Sequence, residues 1–434
     1  MTAHHIGGLP TDQLAQRFGT PLYVYDCGSL RDVYTALRGQ LHPAVDIFYS
    51  AKANPNVGVC AVLRSLGAGM EVSSLAELHT ARWAGADPDA VIFLGPGKSH
   101  AELTACVQLG IRAIVCESLA ELALIDELSR EAGRIARVLL RVNPEFTTKG
   151  SRLSMGGKPR QFGTDQEILR GAELGRYRHV QVDGIQVYMG TRILDAGAVV
   201  HNTRGALDAA EELSAALGFE PSTVDVGGGL GIAYFDDESD LPVAEAVDGV
   251  NAAVAAFTAR HPGCRIIMEL GRYLAGWSGT YVVRARYVKQ SRGEHFVVTD
   301  GGMNHHMAAV GMGSFVKRNF PIRLLSRPEA PPTGKYTITG PLCTPEDVLG
   351  RRVSLPDVRP GDLIGIERAG AYGPTASPVL FLSHGYPAEV LVIDGEAHLV
   401  RHRDTVEDLL ARQILPPIGR PVAERRDLTP ETTP

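Results

Sequence analysis

Between about residue 45 and residue 270 the apolar positions follow two alternating rhythms. Short β-rich runs at 46–50, 69–73, 91–94, 112–116, 137–142, 182–187, 223–226 and 264–269 read as strands. The segments between them include 56–66, 75–84, 118–132, 166–174, 196–216 and 245–260. They carry apolar residues three and four apart under Ala-rich, charged outer faces, the pattern of amphipathic helices. Eight strands joined by seven connections over roughly 230 residues predict an α/β fold, a (β/α)8 TIM-type barrel rather than an open sheet. Two regions fall outside that repeat. Residues 21–25 form a lone strand ahead of the barrel. Beyond 275 the helical spacing gives way to alternating runs at 280–289, 296–299, 336–339, 363–366 and 389–393, separated by Gly/Pro turns, which predict an antiparallel β domain. From 415 to 434 the chain is Pro-rich and polar and reads as disordered.

Composition narrows the class. With 44% apolar residues, 48 Gly and 27 Pro, the chain is globular and too poor in Gly and Pro to be collagenous. Lys and Arg total 43 against 49 Asp and Glu, a net charge of −6, so no global basic field favours nucleic acid or an anionic membrane as partner. The start, MTAHHIGGLPTDQL, lacks the basic and apolar stretches of a secretory signal, and no run of about 18 apolar residues follows. Cytoplasmic localisation is the expectation. The six cysteines form no CxxC pair, so neither a disulfide framework nor a zinc site is signalled. Five sit in apolar or helical surroundings as inert small hydrophobes; Cys343, in GPLCTPED, does not.

In such a barrel the chemistry gathers at the C-terminal ends of the strands. Lys52 follows strand one, Arg141 ends strand five, and YMGT follows strand six. Strand seven runs into Gly227, Gly228 and Gly229, and strand eight into Glu269, Gly271 and Arg272. A triple glycine is by itself a tight turn. Placed after strand seven, where barrels commonly bind phosphate, it offers unobstructed backbone N–H groups, and Arg272 adds a charge-assisted contact. A lysine at an apolar strand end either reaches for solvent or serves as a Schiff-base amine, a task that calls for a lowered pKa. Glu269 would repel a phosphate, and makes sense opposite a protonated pyridine nitrogen. Lysine, phosphate cradle and acidic partner together specify pyridoxal phosphate.

Ten motifs then stand in order: FYSAKANPN, EVSSLAEL, FLGPGKS, LRVNP, QFG, VDGIQVYMGT, VDVGGGLG, ELGRYL, GPLCTPED and GAYG. From about residue 20 to 410 the chain resembles the fold-type III pyridoxal-phosphate enzymes of the diaminopimelate/ornithine/arginine decarboxylase family. The resemblance implies a cofactor-binding barrel over 28–275 and a β domain assembled from 1–27 and 276–414. It also implies a homodimer whose two active sites are each completed across the interface. Carried over by position, Lys52 holds the cofactor and Glu269 pairs with its ring nitrogen. Gly227, Gly228, Gly229, Gly271, Arg272 and Tyr372 bind the phosphate, with Ser74 on the phosphate-side wall and Arg141 near the cofactor. Cys343 of the partner subunit is implied as proton donor, with Thr344 and Tyr372 facing substrate and Asp347 supporting the loop.

Three departures bear on the substrate. The family's stacking His is replaced within Gln186-Val187-Tyr188-Met189-Gly190-Thr191, where Tyr188 offers an aromatic platform without imidazolium charge. The acidic residue that receives a distal ammonium is Thr344, whose neutral hydroxyl cannot pair with one. After Asp300-Gly301-Gly302-Met303-Asn304 come His305 and His306, adjacent and so differently directed, and not read as a metal site. The combination resembles the subgroup of the butirosin-pathway glutamyl-acyl-carrier-protein decarboxylase and the exosortase-associated decarboxylases. A masked, conjugated or carrier-bound amino acid in specialised metabolism is therefore the expected substrate. The loop 147–162, with Lys149, Arg152, Lys158 and Arg160 and no acid, is either a site for an acidic partner or a solvated loop. Lys317, Arg318, Arg323 and Arg327 form a weaker candidate. Diaminopimelate decarboxylation, racemisation, and a catalytically dead homologue acting by binding other proteins remain the competing readings.

Overall fold

The computed structural model describes residues 4–147, 153–154, 156–311, 318–414 and 416. The tail 415–434 except Pro416, and Lys149, Arg152 and Lys317, lie outside the described residues. Eight parallel strands, Val45–Ser50, Gly69–Val72, Val91–Phe93, Ala113–Cys116, Ala136–Asn143, Val180–Gln186, Thr223–Gly228 and Arg265–Leu270, pair in sequence order. The eighth closes on the first, with Ile266 opposite Val45 and Leu270 opposite Tyr49. Each lies within two residues of the run read from the sequence. The expected helix at 166–174 shortens to Gln166–Arg170, after which the chain passes through Gly171 into a tight turn at Leu174–Arg176.

Side chains alternate across a strand, so a barrel sorts them into a lumen and an outer face. Met70, Val72, Ile185, Val224, Val226 and Met268 join the large outer core. Phe48, Ile92, Ala113, Val115, Leu139 and Ile267 form a separate apolar cluster inside. Two residues further along the first, fifth and eighth strands the inward parity changes character, to Ser50, Arg141 and Glu269, while on the third it stays apolar at Leu94. Glu71, Gln186 and Asp225 fall on the same parity of their own strands. The lumen is apolar below and polar above.

Three consecutive strand-to-helix loops share one device. Ser74, Ser99 and Ser118 cap the helices Leu75–Trp83, His100–Leu109 and Leu119–Glu131, each accepting from the backbone N–H of the glutamate three residues on. This repeated cap anchors the rim on that side of the barrel.

The second domain is a sheet in the order 348–355, 334–339, 294–299, 279–291, 22–26, 388–393, 396–401, with 363–366 also joined to 279–291 and 322–324 joined to 363–366. Its pairings are antiparallel except two, 295–298 with 336–339 and 22–26 with 388–392. The second of these parallel joints arises because the N-terminal strand is inserted beside a strand from the other end of the chain. The strands at 322–324, 348–355 and 396–401 were not legible as alternating runs. The longest, VLGRRVSL, is broken by Gly350 and by Arg352 in a left-handed conformation, φ 50°.

Candidate active site

Lys52 sits in a single 3-10 turn, Ala51–Ala53, directly after the first barrel strand. Two bonds pin that turn to the second domain: the Tyr372 N–H donates to Ala53 O at 2.7 Å, and Asn54 Nδ2 donates to Gly370 O at 3.0 Å. Tyr372 adopts φ 55°, a left-handed conformation that a bulky residue holds only where its surroundings over-determine it. Its ring lies under the Arg272 guanidinium, 4.4 Å from carbon to ring centre. The cleft so formed is lined by Ser50, Lys52, Tyr188, Thr191, Gly229, Leu230, Glu269, Leu270, Gly271, Arg272 and Tyr372. Seven of the residues singled out from the sequence therefore meet in one place: Lys52, Tyr188, Gly229, Glu269, Gly271, Arg272 and Tyr372.

The electrostatics are more elaborate than the sequence reading. Lys52 Nζ contacts both oxygens of Glu71, at 3.3 and 3.2 Å, and stands 5.7 Å from the centre of the Tyr188 ring. Glu71 is fully buried and also accepts from Ser73 Oγ at 3.1 Å. Burial opposes the Lys52 charge, but Glu71 and then Glu269 outweigh it, and the amine is held above its ordinary value. A nucleophilic lysine calls for a lowered pKa, whereas here a buried carboxylate pairs with the amine and holds it up. Burial also pushes the Tyr188 hydroxyl up to about 12, so it stays neutral. Glu269 is buried, and its Oε1 accepts from Gln186 Nε2 at 2.9 Å.

Gly229 has φ 77°, and a Cβ there would overlap the Gly190 carbonyl; a Cβ on Gly228 would overlap the Glu269 carbonyl. Gly227, at φ 68°, donates its N–H to Asp225 Oδ1 at 2.8 Å. The three glycines let the loop pass between neighbouring strand ends, leaving Gly229 on the cleft. Arg272 donates to Tyr234 Oη at 3.0 Å, and its Nε is buried without a hydrogen-bond partner. Among the described residues no carboxylate pairs with this guanidinium.

The remaining candidates sit outside this cleft. Ser74 is spent on capping, accepting from Glu77 N at 3.1 Å, and does not line the cleft. Arg141 is buried in an ion pair with Glu117 at 2.6 Å and lies over Phe162 at 4.6 Å, again away from the cleft lining. Arg318, Arg323 and Arg327 pair with Asp237, Glu367 and Asp362, so they present no free basic patch. Lys158 and Arg160 are exposed. His305 and His306 are buried and bonded to Tyr281 and Tyr23; burial lowers them to about 4 and about 3. Among the described residues no cluster of His, Cys, Asp or Glu is arranged to hold a metal ion, and no helix is long and apolar enough to cross a membrane.

Cys343 is the one exposed cysteine; the other five are buried. Its loop is held by Asp347, which accepts from Met303 N at 2.7 Å and Leu342 N at 2.8 Å. Burial raises that carboxyl while the two N–H groups pull it back. Thr344 Oγ1 accepts from Glu346 N at 3.4 Å. None of Cys343, Thr344 and Asp347 lines the cleft of their own chain.

A barrel carrying a lysine on one strand end, a glycine loop with an unpaired arginine on two others, and a buried glutamate between them defines a pyridoxal-phosphate enzyme. Residues 28–276 match the family model described as pyridoxal-dependent decarboxylase, pyridoxal binding domain, and the chain belongs to that family. It is 38% identical over 410 residues to the L-glutamyl-(BtrI acyl-carrier protein) decarboxylase of Niallia circulans, covering 92% of this chain and 95% of that one. It is 30% identical to the diaminopimelate decarboxylase of Haemophilus influenzae, covering 93% and 95%. The solved diaminopimelate decarboxylase of M. jannaschii in complex with L-lysine superposes with a TM-score of 0.86 at 28% identity, over 96% of both chains. The protein is a pyridoxal-phosphate-dependent decarboxylase. The residues present fit the cofactor: a primary amine in the cleft, a guanidinium without an anion, and a buried acid on the strand beside that of the amine.

Proposed function

We propose that this enzyme removes the α-carboxylate of an amino acid presented masked, either conjugated or attached to a carrier protein, in specialised metabolism. The observation that carries this reading is Thr344. A side chain bearing a free ammonium needs a carboxylate at that position, and a neutral hydroxyl leaves the charge uncompensated. The 38% identity to a decarboxylase named for a carrier-bound glutamyl substrate supports it. The exposed Lys158 and Arg160 supply positive charge suited to an acidic carrier.

The roles follow from the chemistry of the residues. When bound, pyridoxal phosphate supplies an electron-accepting ring for the electron pair left as CO2 departs. Lys52 contributes the amine that holds it in the cleft, and Glu71 keeps that amine protonated until it is used. Gly227, Gly228, Gly229, Gly271, Arg272 and Tyr372 would receive the phosphate, Tyr188 would offer an aromatic platform to the ring, and Glu269 would supply a carboxylate to the ring nitrogen. Ser74 and Arg141 act as the framework of the cofactor wall. Cys343 delivers a proton to the carbon that has lost CO2. Its exposure, away from the cleft of its own chain, supports a homodimer in which it serves the neighbouring site, with Thr344 facing substrate and Asp347 fixing the loop. The cofactor barrel spans 28–275, the second domain takes in 1–27 and 276–414, and the enzyme works in the cytoplasm.

The test is CO2 release from a substrate panel: free diaminopimelate, ornithine, lysine, arginine and glutamate against carrier-linked glutamate and acylated diamino acids. Turnover confined to the masked substrates is expected. Rapid turnover of free diaminopimelate would show that another group binds the distal ammonium and that the reading of Thr344 is wrong.

A further inference from the structure

Asp225 takes no part in the roles above, yet it is fully buried beside Glu269. Its Oδ1 is occupied by the Gly227 N–H, and Glu269 Oε1 by the Gln186 amide. The remaining oxygens, Asp225 Oδ2 and Glu269 Oε2, are both buried without a donor, and the two side chains share the inward parity of adjacent strands, Asp225 pairing with Ile267 two residues before Glu269. Two carboxylates are acceptors only and cannot satisfy one another; an acid and a carboxylate sharing one proton can. The local charge balance agrees. Glu71, Asp225 and Glu269 are all buried in this layer with Lys52 as the nearby cation, and Glu71 already holds Lys52. Ionising both remaining acids would bury two like charges side by side.

We propose that Asp225 is a neutral carboxylic acid that donates its proton to Glu269, a positioning residue that keeps Glu269 ionised and aimed at the cofactor's ring nitrogen. The second half rests on the role given to Glu269 above. Burial and then Glu71 raise the Glu269 carboxyl as well, but the Lys52 ammonium and the Gln186 amide pull it back, whereas only the Gly227 N–H pulls Asp225 back, so the proton belongs on Asp225. Burial and then the charge of Glu269 drive the Asp225 carboxyl well above its ordinary range. A carboxylate has about four lone-pair sites, so Glu269 accepts from Asp225 and Gln186 and still has room for a ring N–H.

The decisive measurement is the infrared spectrum of the cofactor-loaded wild-type enzyme with carbon-13 in either aspartate or glutamate carboxyls. We expect a protonated-carboxyl band that moves with the aspartate label and disappears in Asp225→Asn. That variant keeps a donor for Glu269 and an acceptor for Gly227, so its Kd for pyridoxal phosphate should stay within about threefold of wild type, while Asp225→Ala weakens binding about tenfold or more. A wild-type spectrum with no such band, or one that moves only with the glutamate label, overturns the proposal without needing any variant to fold. So does a band unchanged in Asp225→Asn, or an Asn variant as weak as Ala. Glu269→Gln separates the two layers: cofactor absorption and affinity unchanged in that variant would overturn the role of Glu269 and the positioning claim, while leaving the protonation of Asp225 decided by the band.

Discussion

Arg141 and Arg272 stand at the ends of different barrel strands, and their partners decide what each does. Arg141 meets Glu117 in a buried pair, so removing the guanidinium strands an anion. Arg141→Met should cost about 3–5 kcal/mol of folding stability, read by urea unfolding, as its larger effect. Arg272 has no carboxylate to strand, only the Tyr234 hydroxyl. Arg272→Met should therefore leave the urea midpoint little changed while raising the Kd for pyridoxal phosphate about tenfold or more. An inverted pattern, with Arg272→Met unfolding the chain and Arg141→Met losing the cofactor, would reverse the assignment. The sequence reading brought both arginines to the cofactor, Arg272 at its phosphate and Arg141 nearby, because a strand-end position is local information and a partner contributed by another strand is not.

Among the elements, the loop around Cys343 depends on one side chain. Asp347 receives the N–H groups of Met303 and Leu342, and the small size of Gly302 and Gly340 is what lets its carboxylate in. Asp347→Ala should orphan both donors and slow turnover at least about tenfold while leaving pyridoxal-phosphate affinity unchanged, because the loop is assigned to proton delivery and substrate rather than to the cofactor. Titration of the cofactor's absorbance alongside CO2 release checks this; a parallel loss of affinity would place the loop in cofactor binding instead. At this scale legibility followed burial. Barrel strands buried on both faces announce themselves as apolar runs, whereas the strand at 348–355 carries Gly350 and a left-handed Arg352 and leaves no regular alternation to read.

At the scale of the molecule, the proposed sharing of active sites between two subunits makes a numerical prediction. Lys52→Ala subunits, inactive alone, and Cys343→Ala subunits, slow or misdirected in protonation alone, should regain about a quarter of wild-type correctly protonated product when mixed and refolded together, since half the dimers pair unlike subunits and each of those holds one intact site. No recovery would place Lys52 and Cys343 in the same chain's site. The interior also sets an acid limit. His306 is held neutral to about 3 by burial, while in the unfolded chain it takes a proton near 6.5. Its folded pKa is the lower one, so the stability it contributes is complete above pH 6.5 and is lost as the pH falls toward 3. The destabilisation caused by His306→Gln should accordingly shrink by about 2 kcal/mol between about pH 7.5 and pH 5 in urea titrations, and an unchanged gap would mean the imidazole already titrates in the folded state.

Whatever depends on a short stretch of chain was decided by the sequence itself. The eight strands follow from runs of apolar residues, the glycine loop from three residues without side chains, and Lys52, Glu269 and Arg272 from their places at strand ends. Barrel closure, and with it the company each charge keeps, was decided only by the tertiary structure. Glu71 reaches Lys52 across nineteen positions and Gln186 reaches Glu269 across eighty-three. Asp225 and Glu269 meet because adjacent strands turn the same parity into one lumen. Inside that lumen a charge cannot be screened by water, so its protonation and its use are set by neighbours that only closure of the sheet supplies.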